Sequence, residues 1–184
     1  MTSSPLSALR VLLVDDNQHM RLIVGAVLAG IGVKEVRECW DGAEALDMLR
    51  QWPADVAFVD FHMSPIDGVE FTRLVRNASD SPNPFLPIVM ITGYAERTRV
   101  MEARDAGVTE FVVKPVTARA VLDRINAVIQ RARPFVRTAD YFGPDRRRRQ
   151  DPAFEGPWRR KGDESIAAEV AAAAATAAKA KAKA

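Results

Sequence analysis

The sequence predicts a doubly wound α/β fold, in which five strand–helix units build a parallel sheet with helices on both faces. Three observations carry this reading. Val56-Ala57-Phe58-Val59 is a short apolar run that stops at a carboxylate, Asp60, as a strand buried on both faces would. Three further runs behave alike: Val11-Leu12-Leu13-Val14 ends in Asp15-Asp16, Ile88-Val89-Met90-Ile91 ends in Thr92, and Phe111-Val112-Val113 ends in Lys114-Pro115. Between these runs, apolar residues recur at helical spacing.

Taken in order, residues 1–7 form a lead-in without pattern, and the first strand runs from Arg10 to Val14. Asn17 caps a helix from Gln18 to about Ala29, with Ile23, Val24, Val27, Leu28 and Ile31 facing the sheet and Gly30 and Gly32 ending it. Glu35-Val36-Arg37-Glu38-Cys39 alternates polar and apolar, the pattern of an edge strand with one wetter face. Asp41 caps a second helix that turns Ala45, Leu46 and Leu49 inward and stops at Pro53. After the strand ending at Asp60, a loop through Asp67 leads at Gly68 into a third helix, buried through Phe71, Leu74 and Val75. A polar, Pro-rich loop spans 77–87. The fourth helix, about Glu96 to Ala106, is polar, with Val100 and Met101 its only large apolar residues. The last, about Ala118 to Arg131, turns Val121, Leu122, Ile125, Val128 and Ile129 inward.

Composition narrows the classes. The chain is 48% hydrophobic, enough for a core, and its single cysteine, Cys39, permits no internal disulfide. The first residues do not form a signal peptide, and no apolar run approaches the ~20 residues needed to cross a bilayer, so a cytoplasmic protein without membrane attachment is expected. Net charge is +2, with a slight acidic excess in 1–133 and a basic excess in 134–184.

The strand ends bring three carboxylates, a hydroxyl and an amine to one edge of the sheet, where open α/β sheets bind ligands. Asp15, Asp16 and Asp60 would repel one another without a cation, and their hard oxygens favour Mg²⁺, Mn²⁺ or Ca²⁺. With Lys114 and Thr92, such a cluster suits a phosphoryl group, and a carboxylate in it can act as nucleophile. A dinucleotide site is disfavoured, because Asp15-Asp16 stands where a glycine-rich turn would be needed, and no P-loop pattern appears. The plainer alternative is that an aspartate after a strand merely caps the next helix.

Leu13-Val14-Asp15-Asp16-Asn17, Val59-Asp60-Phe61-His62-Met63, Ile91-Thr92-Gly93 and Phe111-Val112-Val113-Lys114-Pro115 together resemble the response-regulator receiver family of two-component signalling. The resemblance covers residues 8–133 and implies a flavodoxin-like sheet in the order 2-1-3-4-5. It implies that Asp60 takes a phosphoryl group from a phosphohistidine on a sensor histidine kinase or phosphotransfer protein. Asp16, Asp60 and the His62 backbone carbonyl would ligate Mg²⁺, Asp15 partly through water. Lys114 would contact phosphoryl oxygens, and Thr92 and Phe111 would move as the switch. The Lys114–Pro115 peptide would be cis. His62 and Tyr94, at the pocket rim, would slow loss of the phosphoryl group. The face built by the last strand and helices is where receivers dimerise or meet partners. One departure is Ser64, where the family usually has Pro; here Pro65 follows one place later.

Residues 134–165 hold Phe135, Tyr141, Phe142, Phe154 and Trp158 among prolines, glycines and charges, including Arg146 to Arg149. This reads as an irregular basic extension whose few aromatics dock back on the domain. Residues 166–184 are an Ala-rich low-complexity tail with Lys179, Lys181 and Lys183. No DNA-binding output module is evident, and no enzymatic one. The expected function is therefore a phosphorylation-switched protein that signals to a protein partner and is not an enzyme. Two alternatives stand beside it: a Mg²⁺-dependent phosphohydrolase using Asp60, disfavoured by His62 where such enzymes carry a second acid, and a nucleic-acid-binding regulator acting through the basic tail.

Overall fold

A computed structural model of the protein describes residues 5–93 and 97–146. A short 3-10 turn, Pro5–Ala8, precedes β1 (Arg10–Val14), α1 (Gln18–Gly30), β2 (Glu35–Cys39), α2 (Gly42–Gln51), β3 (Val56–Asp60), α3 (Gly68–Asn77), β4 (Ile88–Thr92), α4 (Arg97–Ala106), β5 (Glu110–Val113) and α5 (Ala118–Gln130). Two further strands follow, β6 (Phe135–Thr138) and β7 (Tyr141–Pro144). The main sheet has the order β2-β1-β3-β4-β5, and every pair in it is parallel.

The two-residue period of a strand explains the layering. In β1 and β3, Val11, Leu13, Val56 and Phe58 point to the face covered by α1 and α5, where Val24, Leu28, Val121 and Ile125 meet them. Leu12, Val14, Ala57 and Val59 point to the other face, against Ala45 and Leu49 of α2 and Phe71 and Val75 of α3. β3 and β4 are buried throughout, as continuous apolar runs require, while β2 is exposed on most of its length. Caps fall where short polar side chains precede the helices: Asn17, Asp41, Asp67 and Thr117 each accept a backbone N–H of the first turn.

Two inward assignments do not hold. Ile23 is 49% exposed and Ile129 is 51% exposed, because in each helix the sheet-facing stripe is completed by neighbours one turn away, Val24 with Leu28 and Ile125 with Val128. Gly30 is still helical, and the turn is made at Gly32, whose φ of 98° lies in the left-handed region.

Phe135, Tyr141 and Phe142 dock on the domain through a short regular hairpin, while Phe154 and Trp158 lie outside the described residues. β6 and β7 pair antiparallel, from Phe135 opposite Pro144 to Thr138 opposite Tyr141. Phe135, Phe142 and Phe85 form a trio with ring centroids 5.2–5.7 Å apart. Under it lies Arg76 of α3, only 1% exposed, with its guanidinium 5.0 Å from the Phe135 ring. Arg76 Nε donates to the Gly107 carbonyl at 3.1 Å and Nη1 to the Pro84 carbonyl at 2.8 Å. Among the described residues no carboxylate pairs with it, and burial pulls its pKa down to about 9. Gly107 has a φ of 102°, and a Cβ there would stand 2.8 Å from the Phe142 carbonyl oxygen, so β7 can approach the α4–β5 turn only over a glycine. Arg133 donates to the carbonyls of Asp145 and Thr109, and Arg146 pairs with Asp105 of α4 at 3.2 Å while lying 3.9 Å over the Tyr141 ring. Packing thus continues through Arg146, past the boundary at 133 expected from the sequence. The remaining extension and the Ala/Lys tail, 147–184, lie outside the described residues.

Candidate functional site

The carboxyl ends of β1, β3, β4 and β5 bring the expected polar residues to one edge. Asp15 follows β1, with its N–H bonded to the Cys39 carbonyl of the neighbouring strand. Its Oδ1 accepts the Asn17 N–H at 2.8 Å. Helix capping is done by the Asn17 side chain, so neither Asp15 nor Asp16 caps α1. Asp60 is the last residue of β3 and is buried. Its Oδ2 accepts the His62 N–H at 2.9 Å, and its Oδ1 pairs with Lys114 Nζ at 2.7 Å. The same ammonium lies 3.9 Å from Asp15 Oδ2. Thr92 ends β4, buried, and its carbonyl receives the Lys114 N–H at 2.8 Å, which ties the two strand ends together. Lys114–Pro115 is cis, as expected, and so is Ser64–Pro65 in the loop that departs from the usual family sequence.

Electrostatically the cluster is short of positive charge. Asp15 is 1% exposed, and its Oδ2 has no hydrogen-bond partner. Its pKa is raised, first by burial and then by repulsion from Asp60 and Asp16, against the opposing pull of the Asn17 N–H and Lys114. A buried carboxylate oxygen without a donor, beside two more carboxylates, fits a hard divalent cation. Among the described residues no three His, Cys, Asp or Glu side chains converge tightly enough to hold a metal alone.

Phe111 on β5 is half-buried and packs against a small cluster of Phe61, Val69, Met90, Ala103, Ala106 and Val108. The cluster joins the residue after Asp60 to the inner side of α4. His62 is exposed at the mouth; Tyr94 lies outside the described residues.

A family model described as the response regulator receiver domain matches residues 11–126. The chain belongs to the response regulator receiver family. Chemotaxis protein CheY of Pseudomonas aeruginosa is 35% identical over 67% of this chain and 98% of its own length. Chemotaxis protein CheY-3 of Vibrio cholerae is 33% identical over 67% of this chain and 93% of its own. Among solved structures, chemotaxis protein CheY4 of Vibrio cholerae superposes with a TM-score of 0.61 at 32% identity, covering 66% of this chain and 98% of that one. The receiver is thus a response regulator of two-component signalling, and its sheet order is the one the resemblance implied. The β6–β7 hairpin lies beyond the matched residues. Among the described residues no helix is long and apolar enough to cross a membrane.

Three residues near the site were not singled out from sequence. Arg21 donates to the Asp15 carbonyl at 2.7 Å and pairs with Glu38 at 3.4 Å, bracing the β1 end. Gly68 opens α3 so close to β3 that a Cβ would stand 2.3 Å from the Asp60 carbonyl oxygen. Arg99 reaches from α4 to His62. Gly68 had a sequence signal, a glycine opening a helix after an acidic loop; the two arginines had none.

Proposed function

We propose that Asp60 accepts a phosphoryl group from a phosphohistidine of a sensor histidine kinase or phosphotransfer protein, and that the chain relays the change to a protein partner without turning over a substrate of its own. The observation that supports this most is the Asp60 carboxylate itself. It is held at a strand end by one backbone N–H and one ammonium, 2.9 and 2.7 Å away, beside an Asp15 oxygen that accepts no hydrogen bond. In the transfer an Asp60 oxygen bonds to phosphorus while the phosphorus–nitrogen bond breaks and its electron pair leaves with the imidazole. Lys114, already on Asp60 Oδ1, meets the new phosphoryl oxygens by a side-chain rotation. Asp15, Asp16, Asp60 and the His62 carbonyl would hold Mg²⁺, which supplies positive charge to the phosphoryl oxygens.

The Thr92 hydroxyl turns toward the phosphoryl group and Phe111 moves inward behind it. Because Phe111 packs on Ala103 and Ala106, that movement reaches the inner side of α4. The partner, or a second copy of the chain, meets the face of α4, β5 and α5, where Met101, Val113 and Ile129 are exposed. The protein acts in the cytoplasm, where its kinase partners present phosphohistidine.

Backbone NMR of the full chain in Mg²⁺, with and without beryllofluoride as phosphoryl mimic, tests this. Asp60, Thr92, Phe111 and the α4 amides shift together if the reading holds. Shifts absent at all four, with Mg²⁺ bound, would remove it, and sustained turnover of a phosphomonoester would favour a phosphohydrolase instead.

A further inference from the structure

Arg99 projects from the first turns of α4 onto the two residues that directly follow the phosphoryl acceptor. Its Nη1 is 3.2 Å from His62 Nε2. Its guanidinium carbon is 5.5 Å from the centroid of the Phe61 ring. The Phe61 and His62 rings are themselves 4.9 Å apart, inclined at 58°. The three side chains make a stack with Phe61 buried at its base and His62 and Arg99 exposed above it.

The chemistry of the contact sets the imidazole's state. Arginine has donors and no acceptor, so Nε2 must accept, and the ring proton of the neutral imidazole stands on Nδ1. The backbone of the same residue donates to Asp60 Oδ2 at 2.9 Å. A guanidinium on α4 therefore contacts the side chain of the residue whose N–H, among the described residues, holds the acceptor carboxylate.

We propose that Arg99 is a positioning residue for the phosphoryl chemistry at Asp60: by tethering His62 to α4 it keeps the imidazole as a fixed wall at the pocket mouth and limits water's access to the acyl phosphate. This rests on Asp60 being the phosphoryl acceptor. Without the tether His62 rotates freely and shields less. The expected effect is about two- to fivefold on the rate of phosphoryl loss, the factor an exposed cation–π contact supplies.

Two readouts on the full-length chain keep the proposal separate from the reading it rests on. The first is the His62 tautomer, followed by imidazole nitrogen NMR at about pH 8.5, above the ordinary histidine range, with His62→Ala assigning the signal. The proposal predicts the Nδ1–H form in the parent and its loss in Arg99→Ala, whether or not Asp60 is ever phosphorylated. An Nε2–H form in the parent overturns it. The second is decay of the phosphoryl group after loading with acetyl phosphate and Mg²⁺, with Asp60→Asn as the blank. Arg99→Ala and His62→Ala should each shorten the lifetime, and the double variant should decay no faster than His62→Ala alone. Decay at the parent rate in Arg99→Ala, or effects that multiply in the double variant, overturns the proposal. If Asp60→Asn labels as well as the parent, the acceptor reading fails while the tautomer result still stands or falls by itself.

Discussion

Phe135→Ala should destabilise the whole receiver, although Phe135 lies past the residues that match the family. Its ring touches three partners: Phe85 at 5.3 Å, Phe142 at 5.7 Å and the Arg76 guanidinium at 5.0 Å. Truncating a buried Phe costs about 3–5 kcal/mol in a core. The site is at the domain's edge, where a short hairpin can partly close the gap, so the low end, about 3 kcal/mol, is the expectation. Loss of the ring also uncovers a guanidinium whose Nη2 has no partner, and water reaching it offsets part of the loss. For a unit of this size each kcal/mol moves the midpoint by roughly 3 °C, so the melting temperature should fall by about 9 °C. Thermal and urea unfolding by circular dichroism measure both quantities, with Phe135→Leu expected to recover more than half the loss. A drop below about 1 kcal/mol would rule out a stabilising role for the Phe135 ring. It would mean that β6 and β7 ride on the domain without belonging to its cooperative unit.

Other expectations follow from single contacts. Gly68→Ala drives a Cβ to within 2.3 Å of the Asp60 carbonyl oxygen, so it should cost about 1–3 kcal/mol in urea unfolding and slow phosphoryl acceptance; a variant as stable as the parent would contradict the close approach. Burial first, then Glu44 and Asp41, pushes the Cys39 thiol up to about 12, so it should ignore a disulfide reagent at about pH 8 until the chain is unfolded; prompt reaction of the native chain would contradict this. Asp15 has a folded pKa above its unfolded one, so the stability linked to it is present below the ordinary aspartate value of about 4 and is lost as pH rises through the folded value. Asp15→Asn should therefore melt higher than the parent in metal-free buffer at neutral pH, the gap closing toward acid; a lower melt at neutral pH would contradict the account.

The polar edge of the sheet was legible because it obeys a local rule. A strand buried on both faces is a run of apolar residues, so the polar residue that ends it is conspicuous; Asp60, Thr92 and Lys114 were found this way, and the sheet brought Lys114 to Asp60. The helix stripes were legible to within one residue, and the failures at Ile23 and Ile129 have a shared cause: an apolar residue beside a sheet-facing one reads as buried, but the helix turns it about 100° away. β6 and β7 were hidden because each has only four residues, one strand containing Gly143-Pro144, and because their stability comes from Phe85 and Arg76, far away in sequence. Arg76 itself looked like one more charge at the end of an amphipathic helix; only the tertiary structure shows it buried under an aromatic ring. The same holds for Arg99, one of several arginines on a polar helix until its contact with His62 is seen.

The measurement closest to the central claim is intact-chain mass spectrometry after incubation with acetyl phosphate, with the label then mapped to its residue. One phosphoryl group per chain is expected, on Asp60, dependent on Mg²⁺ and abolished by Asp60→Asn. A label on another residue, or none with Mg²⁺ present and the chain folded, would contradict it.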